Sequence, residues 1–346
     1  VIRCSKCVMP NSRPDTAFVD GVCSACVSYA KRPQIDWETR KAALLQILDR
    51  HDGRCIVPSS GGKDSHYQVL TLLELGADVT VVTAATCHLT PIGRANINNL
   101  ARYARTIEVT PNRTVRAKLN RLGLELVGDI SWPEHVSIFT TPFRVAKALG
   151  INLMFYGESP QNQYGGPIGT DEADRLTARW RSEFGGFLGL RPSDMIGKLG
   201  ITERDMSDYL LPDGPLAEAY FLGQFIPWNS HRNADVAIAA GMHTFNEPPS
   251  PANWWIAENL DNWQTCVHDY VMYEKYGFGR GCQQISVDVR TGRTSREYAM
   301  AWLDLHEGYF SGDYAGVSRE EGLEHIGMSE SWLANQFKLW SCSPAA

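Results

Sequence analysis

From Arg54 onward, short apolar runs alternate with stretches of helical length. Cys55–Pro58, Val79–Thr83, Ile107–Thr110 and Leu153–Tyr156 read as strands, and between them Tyr67–Leu75, Ile97–Tyr103, Val115–Val127 and Pro142–Leu149 have helical patterning. No single run is long enough to be diagnostic. Their alternation carries the inference, and it predicts an α/β fold: a doubly wound, mainly parallel sheet with both faces covered. Upstream, Asp36 is placed to cap a helix in which Leu44, Leu45 and Leu48 recur before His51-Asp52-Gly53 stops it. After Gly157 the alternation fades into the Gly-rich, polar stretch Gln161–Gly189, whose length is that of a substrate lid or an ordered excursion. From about Pro248 helical stretches carry Trp254, Trp255, Trp263, Trp302, Trp332 and Trp340, aromatics at the irregular spacing of core filling.

The opening segment through Tyr29 lacks apolar periodicity and cannot hold a core by burial alone. It does contain Cys4-x2-Cys7 and Cys23-x2-Cys26, a C-x2-C-x15-C-x2-C arrangement within the spacing of a four-thiolate site. Two-residue spacing lets both sulfurs of a knuckle reach one ion, and a full set of thiolates leaves no open position. The pattern therefore predicts structural Zn²⁺ held by Cys4, Cys7, Cys23 and Cys26, stapling residues 1–35. The competing reading is two metal-free dithiols.

Composition narrows the classes. The chain of 346 residues is 43% hydrophobic and 21% charged, as folded globular proteins are. A formal net charge of −6 argues against broad adhesion to nucleic acid or anionic membrane. The absence of an apolar run of membrane-spanning length and of a signal-type stretch in Val1–Pro10 leads to the expectation of a cytoplasmic protein.

The first strand of the alternation runs straight into Ser59-Ser60-Gly61-Gly62-Lys63-Asp64-Ser65, just before a helix. Adjacent glycines let backbone N–H groups turn inward, and a helix N-terminus adds a favourable dipole for an anion. Ser60 and Ser65 offer hydroxyls and Lys63 a positive charge. Val57 stands where a Walker A motif needs its first glycine, so another phosphate chemistry is implied. A plain Gly-Gly turn is the alternative, made less attractive by the position after the first strand.

This loop resembles that of the PP-loop ATP pyrophosphatase superfamily, S-G-G-x-D-S. The resemblance implies a fold like that of the adenine nucleotide alpha hydrolases, with Ser60, Gly61, Gly62, Lys63, Asp64 and Ser65 on the ATP phosphates, Mg²⁺ bridging them, and adenine near Thr83, Ala84 and Ala85. The whole chain is similar to the N-acetyl sugar amidotransferase family. That likeness is carried by Cys4–Cys26 with Val8-Met9, by Tyr156-Gly157-Glu158, and by Glu258-Asn259-Leu260-Asp261-Asn262 leading to His268-Asp269 and Tyr276-Gly277-Phe278-Gly279-Arg280. It implies adenylation of an acetamido carbonyl on a sugar, attack by ammonia and an acetamidino product of surface-polysaccharide biosynthesis. Ammonia would come from separate glutaminase and channel subunits, because no glutaminase segment is visible.

The domain layout that follows is a zinc ribbon over 1–35, an ATP-binding α/β domain with its connector helix over 36–245, and a helical region over 246–346. Lys63, Asp64, Glu158 and Arg280 are the catalytic candidates. Arg280, flanked by glycines, reads equally as a ligand contact or a surface ion pair, and Glu158, past a strand end, as a ligand contact or a solvated carboxylate. His268 and Asp269 are adjacent on a helix and so point in different directions. Two rival functions remain: tRNA sulfur transfer, for which Cys55, Cys87 or Cys282 would have to be reactive, and a non-catalytic zinc and nucleotide-binding module.

Overall fold

The computed structural model describes residues 2–14, 16–31, 34–86, 88–157, 175–178, 180–181 and 185–342. The chain opens with a small antiparallel hairpin, β1 (Phe18–Val19) and β2 (Val22–Cys23), followed by α1 (Ser24–Ala30) and α2 (Trp37–Arg50). Asp36 caps α2 by accepting the Thr39 N–H at 3.1 Å. Its buried stripe is Leu44, Ile47 and Leu48, while Leu45 is 43% exposed, because a residue one step from Leu44 is turned about 100° away from the stripe.

The α/β unit then alternates β3 (Arg54–Pro58), α3 (Lys63–Glu74), β4 (Asp78–Ala84), α4 (Pro91–Leu100), β5 (Arg105–Val109), α5 (Arg113–Val127), α6 (Trp132–Ile138), α7 (Thr141–Leu149), β6 (Leu153–Tyr156), the short α8 (Glu203–Met206), β7 (Glu218–Phe221) and α9 (Ser230–Ala239). The five strands β3 to β7 form one parallel sheet in the spatial order β5-β4-β3-β6-β7. Strand pleating explains why both faces are apolar. Cys55, Val57, Leu153 and Phe155 pack with Leu44 and Leu72 of α2 and α3, whereas Ile56, Met154 and Tyr156 pack with Phe143 and Ala146 of α7. β3 is the first strand of this sheet, and the strand order reverses beside it, which opens a crevice at its C-terminal end.

The predicted strands and helices of this unit correspond to β3–β6 and to α3, α4, α5 and α7. The fifth strand, β7, and helices α6 and α9 add to that expectation. Most of Gln161–Gly189 lies outside the described residues. Of its described part, Arg175 bridges Tyr220 on β7, and Leu176 and Trp180 join the core against Phe221.

The C-terminal region consists of α10 (Thr265–Tyr276), α11 (Arg280–Arg290), α12 (Arg296–His306), α13 (Arg319–Ile326) and α14 (Glu330–Trp340). Its core of Trp263, Val267, Val271, Leu323 and Leu333 also takes in Leu124 and Ile130 from the end of α5 and just beyond it. The cysteine segment packs on these late helices. Val8 joins Phe278 and Ile285, and the Arg296 guanidinium donates to the carbonyls of Cys4 and Cys7 at 3.0 Å. No helix among the described residues is long and apolar enough to cross a membrane.

Candidate functional site

The segment Ser59–Gly62 leaves β3 at the crevice and turns into α3. Gly61 has φ +88°, a left-handed conformation that favours glycine, and a Cβ there would stand 3.0 Å from the Ile97 nitrogen. The Ser59 hydroxyl accepts the Gly61 N–H at 3.0 Å and so holds the turn. Gly62 precedes α3 without a side-chain cap, so the first N–H groups of a twelve-residue helix face the crevice unclaimed by a capping side chain. Below the turn, His66 Nδ1 bonds the Gly62 carbonyl at 3.0 Å and Asn99 meets its Nε2 at 3.1 Å. Burial lowers the His66 pKa and favours the neutral ring, whose two nitrogens can then serve as one donor and one acceptor.

The opposite wall comes from the C-terminal region. Residues 258–262 lie across α4: Leu89 bridges Asn262, the Thr90 N–H donates to the Asp261 carbonyl at 2.9 Å, and the Thr90 hydroxyl donates to the Leu260 carbonyl. Gly93 makes this approach possible, since a Cβ there would lie 2.7 Å from the Asp261 Cα. A cavity of about 170 Å³ remains between the walls, lined by Ser60–Ser65, Asn96 and residues 257–261. This is below the roughly 300–1,000 Å³ of pockets that enclose whole ligands, so the cavity fits one polar end of a larger molecule.

Charge is concentrated here. The Lys63 ammonium, 5% exposed, lies 2.6 Å from Asp64 Oδ2 and 3.5 Å from Glu258 Oε1. Arg280 reaches the same Glu258 oxygen at 3.0 Å, and Gln284 donates to the other at 2.6 Å. Burial alone would push the Glu258 carboxyl up, but Arg280 and Lys63 outweigh it and hold its pKa at about 2. Asp261 has the opposite balance: burial raises its pKa, and its own backbone N–H and the Ser60 hydroxyl offset this only in part. Asp64 Oδ1 accepts from Asn233 of α9 at 2.9 Å.

Beyond Glu258 the positioning continues. Gln284 Oε1 accepts the N–H groups of Trp254 and Trp255 at 2.7 and 3.2 Å, and both indoles donate to Asp288 Oδ2 at 2.7 and 2.9 Å. Asp288 also bonds His231 of α9 at 2.7 Å, tying α11 to the α/β unit. These tryptophans thus brace the wall through their N–H groups as well as by packing.

The structure brings Ser60, Gly61, Gly62, Lys63, Asp64 and Ser65 together around one cavity and joins Arg280 to Lys63 through Glu258. Thr83 and Ala84 end β4, the strand beside β3. Thr83 is buried with its hydroxyl unpartnered, and Ala84 lines a separate cavity of about 210 Å³ with Val109, Arg116, Ser137, Arg144 and Tyr209. Glu158 lies outside the described residues. His268 and Asp269, expected to diverge, bond each other at 3.0 Å and do not line the loop cavity. Glu258 and Asp261 appear in the sequence only within a resembled segment, and Asn233 and Gln284 carry no local signal. Chain folding supplies all four.

The cysteine cluster meets the geometry of a metal centre. Cys4, Cys7, Cys23 and Cys26 are buried, unlinked by disulfides, and place their sulfurs within 4.8 Å of one another. Cys7 and Cys23 sulfurs are 3.7 Å apart, close to the ~3.8 Å edge of a tetrahedron with Zn–S bonds of about 2.3 Å. Backbone N–H groups of Lys6, Met9 and Cys23 point at the sulfurs at 3.3–3.4 Å, as thiolate acceptors require. By contrast, burial raises the thiols of Cys55 and Cys282 to about 12, which leaves both as unreactive thiols near neutrality; Cys87 lies outside the described residues.

Residues 245–342 match the family model of the C-terminal domain of WbpG-like lipopolysaccharide biosynthesis proteins. The matched segment contains Glu258 and Asp261, which line the cavity opposite the glycine-rich loop, and Arg280 and Gln284, which pair with Glu258, and it supports a place in sugar-modifying biosynthesis. No curated protein matches the chain.

Proposed function

We propose that this protein is an ATP-dependent amidotransferase that turns an acetamido group of a surface-polysaccharide sugar into an acetamidino group. The observation that carries this reading is the cavity itself: an uncapped helix N-terminus and glycine-rich turn on one side, and on the other residues 257–261 of the segment that matches lipopolysaccharide-biosynthesis proteins, whose Glu258 pairs with Arg280.

An amide carbonyl is a poor electrophile, so the chemistry begins by activating its oxygen. That oxygen attacks the α-phosphorus of ATP, the bond to the β-phosphate breaks, and pyrophosphate leaves. Ammonia then adds to the carbon of the resulting imidate. The C–O bond breaks, AMP departs with the original carbonyl oxygen, and loss of a proton leaves the amidine. In this reading the turn's N–H groups and Lys63 stabilise charge on the departing pyrophosphate, and Arg280, released from Glu258, serves the charge on the α-phosphate. Phosphate arrival requires Lys63 and Arg280 to exchange part of their pairing with Glu258 for pairing with the nucleotide.

Asp64 and Asp261, carboxylates lining the cavity, are the hard oxygen ligands that would hold Mg²⁺, which would neutralise phosphate charge. With the phosphate end in this cavity, the proposal takes the adenosine toward the C-terminal end of β4, at Thr83 and Ala84. Zn²⁺ in the cysteine cluster has a structural role, because four sulfurs fill its coordination shell. The nitrogen donor is free ammonia, delivered by separate glutaminase and channel subunits.

The deciding experiment incubates the full chain with ATP, Mg²⁺, ammonium and acetamido sugars and identifies the products. AMP, pyrophosphate and an amidine sugar in equal amounts are expected. ADP would overturn the adenylation step, and AMP formation that depends on tRNA and a sulfur donor would replace the sugar with a different acceptor.

A further inference from the structure

A second cluster of metal-type ligands lies at the seam between α5–α6 and α10, apart from the cysteines. α5 closes on Gly128, and Asp129 follows, buried, with Oδ1 accepting the Ser131 N–H at 2.8 Å. α6 brings His135 Nδ1 to 3.0 Å from Asp129 Oδ2, and α10 brings His268 Nε2 to 3.9 Å from Asp129 Oδ1. One carboxylate oxygen and one nitrogen from each ring lie within 4.8 Å of one another. The rings stand edge to face, 5.6 Å between centroids.

Three features separate this cluster from ordinary ion pairs. His135 Nδ1 is buried 3.0 Å from Asp129 Oδ2, off the line of a well-directed hydrogen bond. The far nitrogen of His268, Nδ1, is held by Asp269 at 3.0 Å, and Asp269 is held in turn by Asn259 at 3.1 Å. A carboxylate behind an imidazole fixes the tautomer and orients the other nitrogen toward a metal. Finally, bonds of about 2.0–2.2 Å to a tetrahedral ion place neighbouring ligand atoms roughly 3.3–3.6 Å apart, and one ligand atom from each of the three residues already lies within 4.8 Å of the others, so small side-chain rotations reach that spacing.

We propose that Asp129, His135 and His268 bind a divalent transition metal ion, Zn²⁺ by the chemistry of one carboxylate and two imidazoles, with a fourth position open to water or another ligand. Both histidine side chains are about one-third exposed (28% and 33%), which gives the ion a route in. The ligands come from both sides of the seam, so the ion joins the α/β unit to the C-terminal region. Asn259, beside Glu258, connects it to the wall of the loop cavity. This inference is independent of the reaction proposed above.

The test equilibrates the full chain with excess Zn²⁺ or Co²⁺, removes free ion by desalting and counts bound metal against protein. Two equivalents are expected for the wild type, and one for His135→Ala and His268→Ala with the cysteine-bound equivalent retained. In the Co²⁺ protein the second equivalent should add d–d absorption without thiolate charge transfer, and imidazole N–H proton signals shifted by the paramagnetic ion. The wild-type count and spectrum do not depend on how the variants fold. A single equivalent in the wild type, a second equivalent without shifted imidazole signals, or two equivalents surviving in both variants would each overturn the site.

Discussion

The two walls of the loop cavity are built by different means. The Ser60–Ser65 wall is local: a strand, a turn with Gly61 at positive φ and the start of a helix define it within a few residues. The facing wall is residues 257–261, with Arg280 behind it on Glu258, and it is held by a network reaching from α3 through α11 to α9. The loop wall offers backbone donors, which need no balancing charge, along with the Lys63 ammonium, which does. The other holds buried side-chain charge, which is tolerated only while every member is paired. Changes on the two sides should therefore differ in kind: stability responds most on the charged wall and chemistry most on the loop.

Glu258→Gln is expected to have the largest effect on stability. It takes the Glu258 carboxylate away from both Arg280 and Lys63, and breaking a buried pair in this way costs about 3–5 kcal/mol. Urea unfolding at neutral pH measures it. The pH dependence gives an independent reading. Because the folded-state pKa of Glu258, about 2, lies below the ordinary 4.5, its contribution is complete above pH ~4.5 and is lost as pH falls toward 2. The wild type should lose about 3 kcal/mol more than the variant across that window. Matching acid limbs in the two proteins would mean that the charges do not hold this wall together.

Lys63→Met addresses the loop side. Glu258 keeps Arg280 and Gln284 as partners in this variant, so the stability change should be smaller. The adenylation rate should fall by about 10²–10³, the usual effect of removing one donor from a site of developing charge. Pyrophosphate release at saturating ATP measures this. If kcat holds and only KM for ATP rises, Lys63 contributes to ground-state binding and the proposed role in the transition state is wrong.

The same contrast decides how much could be read from the sequence. The loop wall was legible because its signal is contiguous: an apolar strand, two glycines, then helical spacing. The cysteine knuckles were legible for the same reason. β7 was not, because Glu218–Phe221 follows an irregular stretch and finds its place only by pairing with β6. Glu258, Gln284 and Asn233 each look like a solvated polar residue in isolation. Their burial and partners arise from contacts spanning 26 to 195 residues, which no local pattern encodes. Asp129, His135 and His268 follow the same rule, since the last ligand is 133 residues from its nearest companion.

Asn233→Ala gives the smallest expected effect on stability and the finest separation between fold and function. Asn233 is fully buried; its amide N–H donates to Asp64 at 2.9 Å, while its own carbonyl oxygen has no partner. A hydrogen bond to a carboxylate contributes about 1.5–3 kcal/mol, and an unsatisfied buried acceptor costs about 1–3 kcal/mol. Truncation removes both together, so the urea midpoint should shift by no more than corresponds to about 1 kcal/mol. Asp64 nevertheless loses the contact that fixes its second oxygen. If Asp64 helps hold Mg²⁺, the ion concentration giving half-maximal pyrophosphate release should rise about tenfold, the lower end of what losing an outer partner costs a metal ligand. An unchanged Mg²⁺ requirement at unchanged stability would leave Asp64 as a partner of Lys63 alone and move the ion to Asp261.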